Sequence, residues 1–160
     1  MRILLVPALL LAAACATTAT SSPTPAAQRA SAPPHISAGR PTFEGRSGGF
    51  FIWADDAGWH LRTTSAGPLL SFTGVISPIG GQIEGLRPMK ENDRSSQVAL
   101  TDKGIEFSLP TQADVEGFDW KVTSGCNRFD LRALGQADPG LVRLGGMADA
   151  PPQIPFDLCK

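Results

Sequence analysis

The chain lacks any run of like charge: 14 Lys and Arg are interleaved with 15 Asp and Glu, giving a formal net charge of −1 over 160 residues. Phosphate binding needs clustered cations, so nucleic acid is not an expected partner. Histidine is scarce, with His35 and His60 the only two. A nucleophilic triad needs a base beside a Ser or Cys and a carboxylate to orient it. Gly45 to Gly49 matches the G-x-S-x-G spacing, but no helical period follows it to make a nucleophile elbow, and no H-E-x-x-H, P-loop or G-x-G-x-x-G stands anywhere in the chain. Cysteine is nearly absent too, and two body cysteines without a histidine pair fall short of a zinc site. No sustained 3.6-residue apolar period and no internal repeat is visible, which removes long amphipathic helices and solenoids. These gaps leave no catalytic residue, metal or cofactor to assign. A carboxylate pair of the glycosidase kind needs only two acidic groups about 5–10 Å apart in a cleft, so a hydrolase stands as a third-ranked expectation.

Glycine and proline, at 17 and 14 residues, are abundant instead. Helix interiors tolerate neither, so the composition leans toward strands and turns. The most structured stretch is GFFIWADDAGWHLRTTS, Gly49 to Ser65. It predicts a β-hairpin closed by a loop over Ala54 to Gly58, with Gly58 in the positive-φ position. In that register Trp53 faces Trp59 and Phe51 faces Leu61 on the core side, while Phe50, Ile52, His60 and Arg62 share the other face. Those four form the candidate binding surface, on which His60→Ala or Arg62→Ala is expected to cost about 1 kcal/mol or less.

Further along, Leu69 to Ile76 reads as a strand, Gln82-Ile83 as a short one, and Glu84 to Ser96 as a polar loop with room for one helical turn. Gln97 to Thr101 and Ile105 to Leu109 form a second hairpin. Phe118 to Thr123, Cys126 to Ala133 and Leu141 to Leu144 follow, ahead of a proline-rich tail. About seven or eight short strands with regular turns indicate an all-β domain, an antiparallel sandwich or a small barrel. Asp55-Asp56 and Glu91-Asn92-Asp93 are read as turn residues rather than calcium ligands. Trp53, Trp59 and Trp120 are read as core rather than as a sugar-stacking platform.

Met1-Arg2 followed by the apolar run Ile3 to Ala14 is a secretory signal, too short to stay as a spanning helix. It ends in Ala12-Ala13-Ala14-Cys15, which resembles the lipobox of bacterial lipoproteins, with alanine where leucine is commonest. The resemblance implies a signal peptide over residues 1–14, lipid on Cys15, and a membrane anchor. Ala16 carries no retention signal, which implies the outer membrane, facing the periplasm. Residues 15–42, rich in Thr, Ser, Ala and Pro, then read as a disordered tether holding a single β domain over 43–160. His35 lies in the tether and receives no role.

The body is also similar to a group of secreted bacterial proteins of unknown function, through FIWADDAGWHLRTT, Phe72-Thr73-Gly74, GFDW at Gly117 to Trp120, and Pro155-Phe156. That group lends no activity. With Cys15 committed to lipid, Cys126 and Cys159 are left as an even pair in an oxidising compartment, the signature of one disulfide. The leading expectation is a non-enzymatic envelope module that binds or scaffolds a protein or glycan. A small-ligand carrier with a barrel cavity is the alternative.

Overall fold

Short runs of aromatic and β-branched residues, cut by Gly, Pro and Asp, form ten strands among the described residues of the computed structural model. Those residues are 33, 35, 36, 39, 40, 43, 48–64, 71–110, 114–123, 125–134, 142–145 and 154–160. The strands are β1 (Gly49–Asp55), β2 (Gly58–Thr64), β3 (Ser71–Pro78), β4 (Ile83–Pro88), β5 (Gln97–Thr101), β6 (Gly104–Leu109), β7 (Val115–Val122), β8 (Cys126–Leu134), β9 (Val142–Leu144) and β10 (Phe156–Cys159). They make two five-stranded sheets, in the orders β4-β7-β2-β1-β9 and β10-β8-β3-β6-β5. Every pairing is antiparallel except β1 with β9.

Alternation sends one face of each sheet into a shared core. The first sheet contributes Phe50, Ile52, Trp59, Leu61, Phe118 and Trp120, and the second contributes Phe72, Ile76, Ile105, Phe107, Leu109, Phe129 and Leu131. Aromatic rings bridge the two layers. Phe50 meets Phe72 at 4.7 Å, Phe107 meets Phe118 at 5.1 Å, and Phe129 lies 5.9 Å from Trp59. Trp59 and Trp120 stack within the first sheet at 5.9 Å. The architecture is therefore a sandwich with its interior filled by side chains. Among the described residues no closed barrel forms.

Four expectations need correcting. Ile83 to Pro88 is a strand, not the start of a loop, because it pairs with β7 despite a register shift between Glu84 and Arg87 and a left-handed Gly85 (φ 57°). The tail carries a strand of its own, β10, along β8. Ten strands replace the expected seven or eight. Two described residues before residue 43 also join the body: His35 bridges to Cys159, and Ile36 buries itself in the core. Cysteine pairing follows from the same strands: Cys126 and Cys159 stand directly opposite in the β8–β10 ladder and are joined by a disulfide. Residues 1–31, including the signal run and Cys15, lie outside the described residues.

Candidate functional site

The first hairpin turns through two residues, Asp56 and Ala57, with Asp55 opposite Gly58. Asp55 closes the turn itself, its Oδ1 accepting the Ala57 amide at 2.8 Å. Gly58 is the first residue of β2 rather than the end of a longer loop. A Cβ there would stand 2.5 Å from the Trp120 carbonyl oxygen, so the glycine answers the close approach of β7. This turn sets the register one residue away from the five-residue loop expected above. A one-residue slip reverses which face a strand shows.

The consequence is a changed site. Phe50 and Ile52 do not share a face with His60 and Arg62; they are core residues, 3% and 0% exposed. Their places are taken by Phe51, opposite Arg62, and Trp53, opposite His60. This outer face is also largely covered, since Phe51 and Trp53 are both 3% exposed and His60 is 9%. The Phe43 ring packs edge-on against Phe51 at 5.0 Å and against Trp53 at 6.1 Å. An exposed apolar strip is therefore not what this face presents.

What it presents is a charge cluster spread across four strands. The register places Asp119 of β7 beside His60 of β2, and Arg87 of the edge strand β4 beside Asp119. His60 Nδ1 lies 2.8 Å from Asp119 Oδ1, and Nε2 lies 2.9 Å from Asp55 Oδ1. Trp53 stacks flat on the imidazole, centroids 4.7 Å apart and planes at 15°. The Arg62 guanidinium donates to Asp119 Oδ1 at 2.6 Å and to the Leu61 and Phe118 carbonyls, each at 2.9 Å. It also lies 5.3 Å from the Trp53 ring centre, within cation–π range. Opposite Arg62 stands Gly117, where a Cβ would come 2.1 Å from the Leu61 oxygen and 2.9 Å from Arg62 Cδ. The missing side chain is what lets the arginine stem cross the sheet.

The electrostatics follow from this geometry. Burial pulls the His60 pKa down, but the hydrogen bonds to Asp119 and Asp55 outweigh it and leave the pKa above 6.5. The bond from His60 is the largest influence on Asp55 and holds it below the ordinary 3.8. Burial works against ionisation of Asp119, yet His60 and Arg62 together lower it. Because both ring nitrogens face carboxylate oxygens, only the imidazolium makes both bonds as a donor. Two cations and two anions then balance.

Chemically, the cluster is a clamp. Neither ring nitrogen of His60 is free to take a proton from a substrate, and Arg62 is spent on three acceptors. Lys160 reaches the same place from the C-terminus, its Nζ donating to the Asp55 carbonyl. A cleft of about 190 Å³ opens beside the turn between Asp56, Trp59, Lys121, Thr123 and Lys160. That is below the usual range for enclosing a small organic ligand. Among the described residues, no three His, Cys, Asp or Glu side chains gather as a metal-binding set.

The acidic turns noted in the sequence hold backbone. Asn92 exchanges two hydrogen bonds with the Gly117 main chain, at 2.9 and 2.8 Å, and Asp93 Oδ1 accepts from Ser95. Glu116, fully buried, accepts from the Asp93 amide at 2.8 Å and the Ser96 hydroxyl at 2.7 Å, tying that loop to β7. Sequence reading missed Glu116 because the strand was started at Phe118. Alternation with Phe118 and Trp120 turns Asp119 outward, but its pairing with His60 spans 59 residues and leaves no local signal.

No family model, curated protein or solved structure matches the chain. The functional reading therefore rests on its own residues.

Proposed function

We propose that the chain is a lipid-anchored β module of the bacterial envelope, held by Cys15 and acting by binding or scaffolding, with a protein or glycan as partner. The observation that carries the reading is the apolar run ending in Ala12-Ala13-Ala14-Cys15. Two features support a binding role over a catalytic one. The core is packed with side chains, and the one histidine of the sandwich sheets is clamped by carboxylates on both sides. The polar groups this end offers to a partner are the outer edges of Asp55 and Asp119, with exposed Arg87 and Lys121 alongside.

The test is fractionation with crosslinking in a host that processes lipoproteins. The full chain with a photoreactive residue at Lys121 is expected in the outer-membrane fraction, giving a defined crosslinked species on irradiation. Cys15→Ser is expected in the soluble periplasmic fraction. A Cys15→Ser protein that stays with the membrane contradicts the anchor, and a Lys121 probe that captures neither protein nor glycan contradicts the binding role at this end.

A further inference from the structure

A two-sheet sandwich has four free edges, and proteins usually blunt such edges with charge, proline, bulges or cover. Three of the four are blunted here. β4 carries the register shift at Glu84/Arg87 and ends in Pro88. β9 is only three residues long. The outer side of β10 is met by His35 and Ile36, whose amide donates to the Cys159 carbonyl at 3.1 Å. β5 has none of these devices. Its sequence is Gln97-Val98-Ala99-Leu100-Thr101, regular and uncharged, and nothing among the described residues pairs with its outer side.

The polar groups of that outer side are identifiable. β5 and β6 are joined through a two-residue turn with Thr101 opposite Gly104. In such a hairpin the flanking pair is hydrogen-bonded and the pattern alternates from there. Gln97, Ala99 and Thr101 therefore bond inward to β6, and the N–H and C=O groups of Val98 and Leu100 point outward. Leu100 is also the most exposed large apolar side chain among the described residues, at 55%. It stands at the lip of a groove between the β5–β6 turn and Ile83.

We propose that β5 is a self-association edge, pairing antiparallel with β5 of a second copy about a two-fold axis through Ala99. This register uses every free group. Val98 of each copy faces Leu100 of the other as a hydrogen-bonded pair, and four backbone bonds form in place of eight exposed groups. Ala99 meets its own copy at the axis. Gln97 faces Thr101, so no like charges oppose one another, a condition a self-pairing strand must meet and most charged edges do not. The exposed Leu100 is covered by the partner's Val98, which lies on the same face of the joined sheet. A second copy fits better than an unrelated strand because one short segment supplies both halves of the match.

The register makes a sharp test. At the axis, directly opposed residues of this type have Cα atoms about 4.5 Å apart, within disulfide reach. Gln97 of one copy lies four residues of strand, roughly 13–14 Å, from Gln97 of the other. Full-length Ala99→Cys is therefore expected to give a reducible homodimer on oxidation, and Gln97→Cys to stay monomeric. Adding Leu100→Lys to Ala99→Cys places two cations beside the axis and is expected to abolish the dimer. Both single cysteines replace exposed side chains, so folding is preserved. The proposal is overturned by a monomer at Ala99→Cys, by equal dimer at both positions, by a disulfide to a different protein, or by a dimer that survives Leu100→Lys.

Discussion

Replacing Asp119 with Asn keeps the shape of the side chain while removing the charge that two cations share. Asp119 Oδ1 accepts from His60 at 2.8 Å and from Arg62 at 2.6 Å. Hydrogen bonds to charged groups are worth about 1.5–3 kcal/mol each, and an amide oxygen retains part of that. The side chain is about one-third exposed, so solvent screening lowers the figure further. Asp119→Asn is therefore expected to cost about 1–3 kcal/mol, and the cost should depend on pH. The His60 pKa is raised in the folded state, so its contribution is complete below 6.5 and is lost as pH rises through the folded value. Asp55 and Asp119 are lowered, so theirs is present above 3.8 and lost as pH falls through the folded values. The cluster thus stabilises most between those two limits. Urea unfolding of wild type and variant on the acid and alkaline sides of neutrality measures this, with an NMR titration of His60 assigned by a His35→Gln control. A smaller gap between the two proteins on the alkaline side is expected. An equal gap at both pH values, or a wild-type His60 titrating at or below 6.5, refutes the reasoning.

The corrected hairpin register makes His60 a buried residue, so His60→Ala should cost about 2–4 kcal/mol through the lost carboxylate bonds and the lost Trp53 stack, well above the 1 kcal/mol expected of an open face. Trp59→Ala should cost about 3–5 kcal/mol in the same urea measurement, as truncation of a buried aromatic does. Cys126→Ala removes a cross-link over a separation of 33 residues, and the chain-entropy estimate of about 3–4 kcal/mol should appear as a lower melting temperature, matched in wild type by adding a reductant.

Much of the fold was legible because its signals are local. Ile105, Phe107 and Leu109 alternate with Glu106 and Ser108, and the structure buries the first three as the pattern requires. The Phe129 and Leu131 alternation on β8 behaved in the same way. The first hairpin was recognisable as a hairpin, but its faces were not, because they hang on a turn length. Gly58 looks like a loop-closing glycine until β7 is seen pressing its carbonyl against it. The four residues of the candidate surface divide for that reason: His60 and Arg62 share a face, but with Phe51 and Trp53, and under cover. β10 and Ile36 were hidden because both are held by long-range partners, a disulfide and a bridge to Cys159, with too few residues to show a period. β4 was masked by Gly85 and Pro88, which read as loop residues and here mark an irregular edge.

The central claim is that Cys15 is the lipidated N-terminus of the mature protein. Metabolic labelling with a radioactive fatty acid in a lipoprotein-processing host tests it directly. Label is expected on the wild-type chain and none on Cys15→Ser, with a mature mass beginning at residue 15. Equal label on both proteins, or on neither, contradicts it.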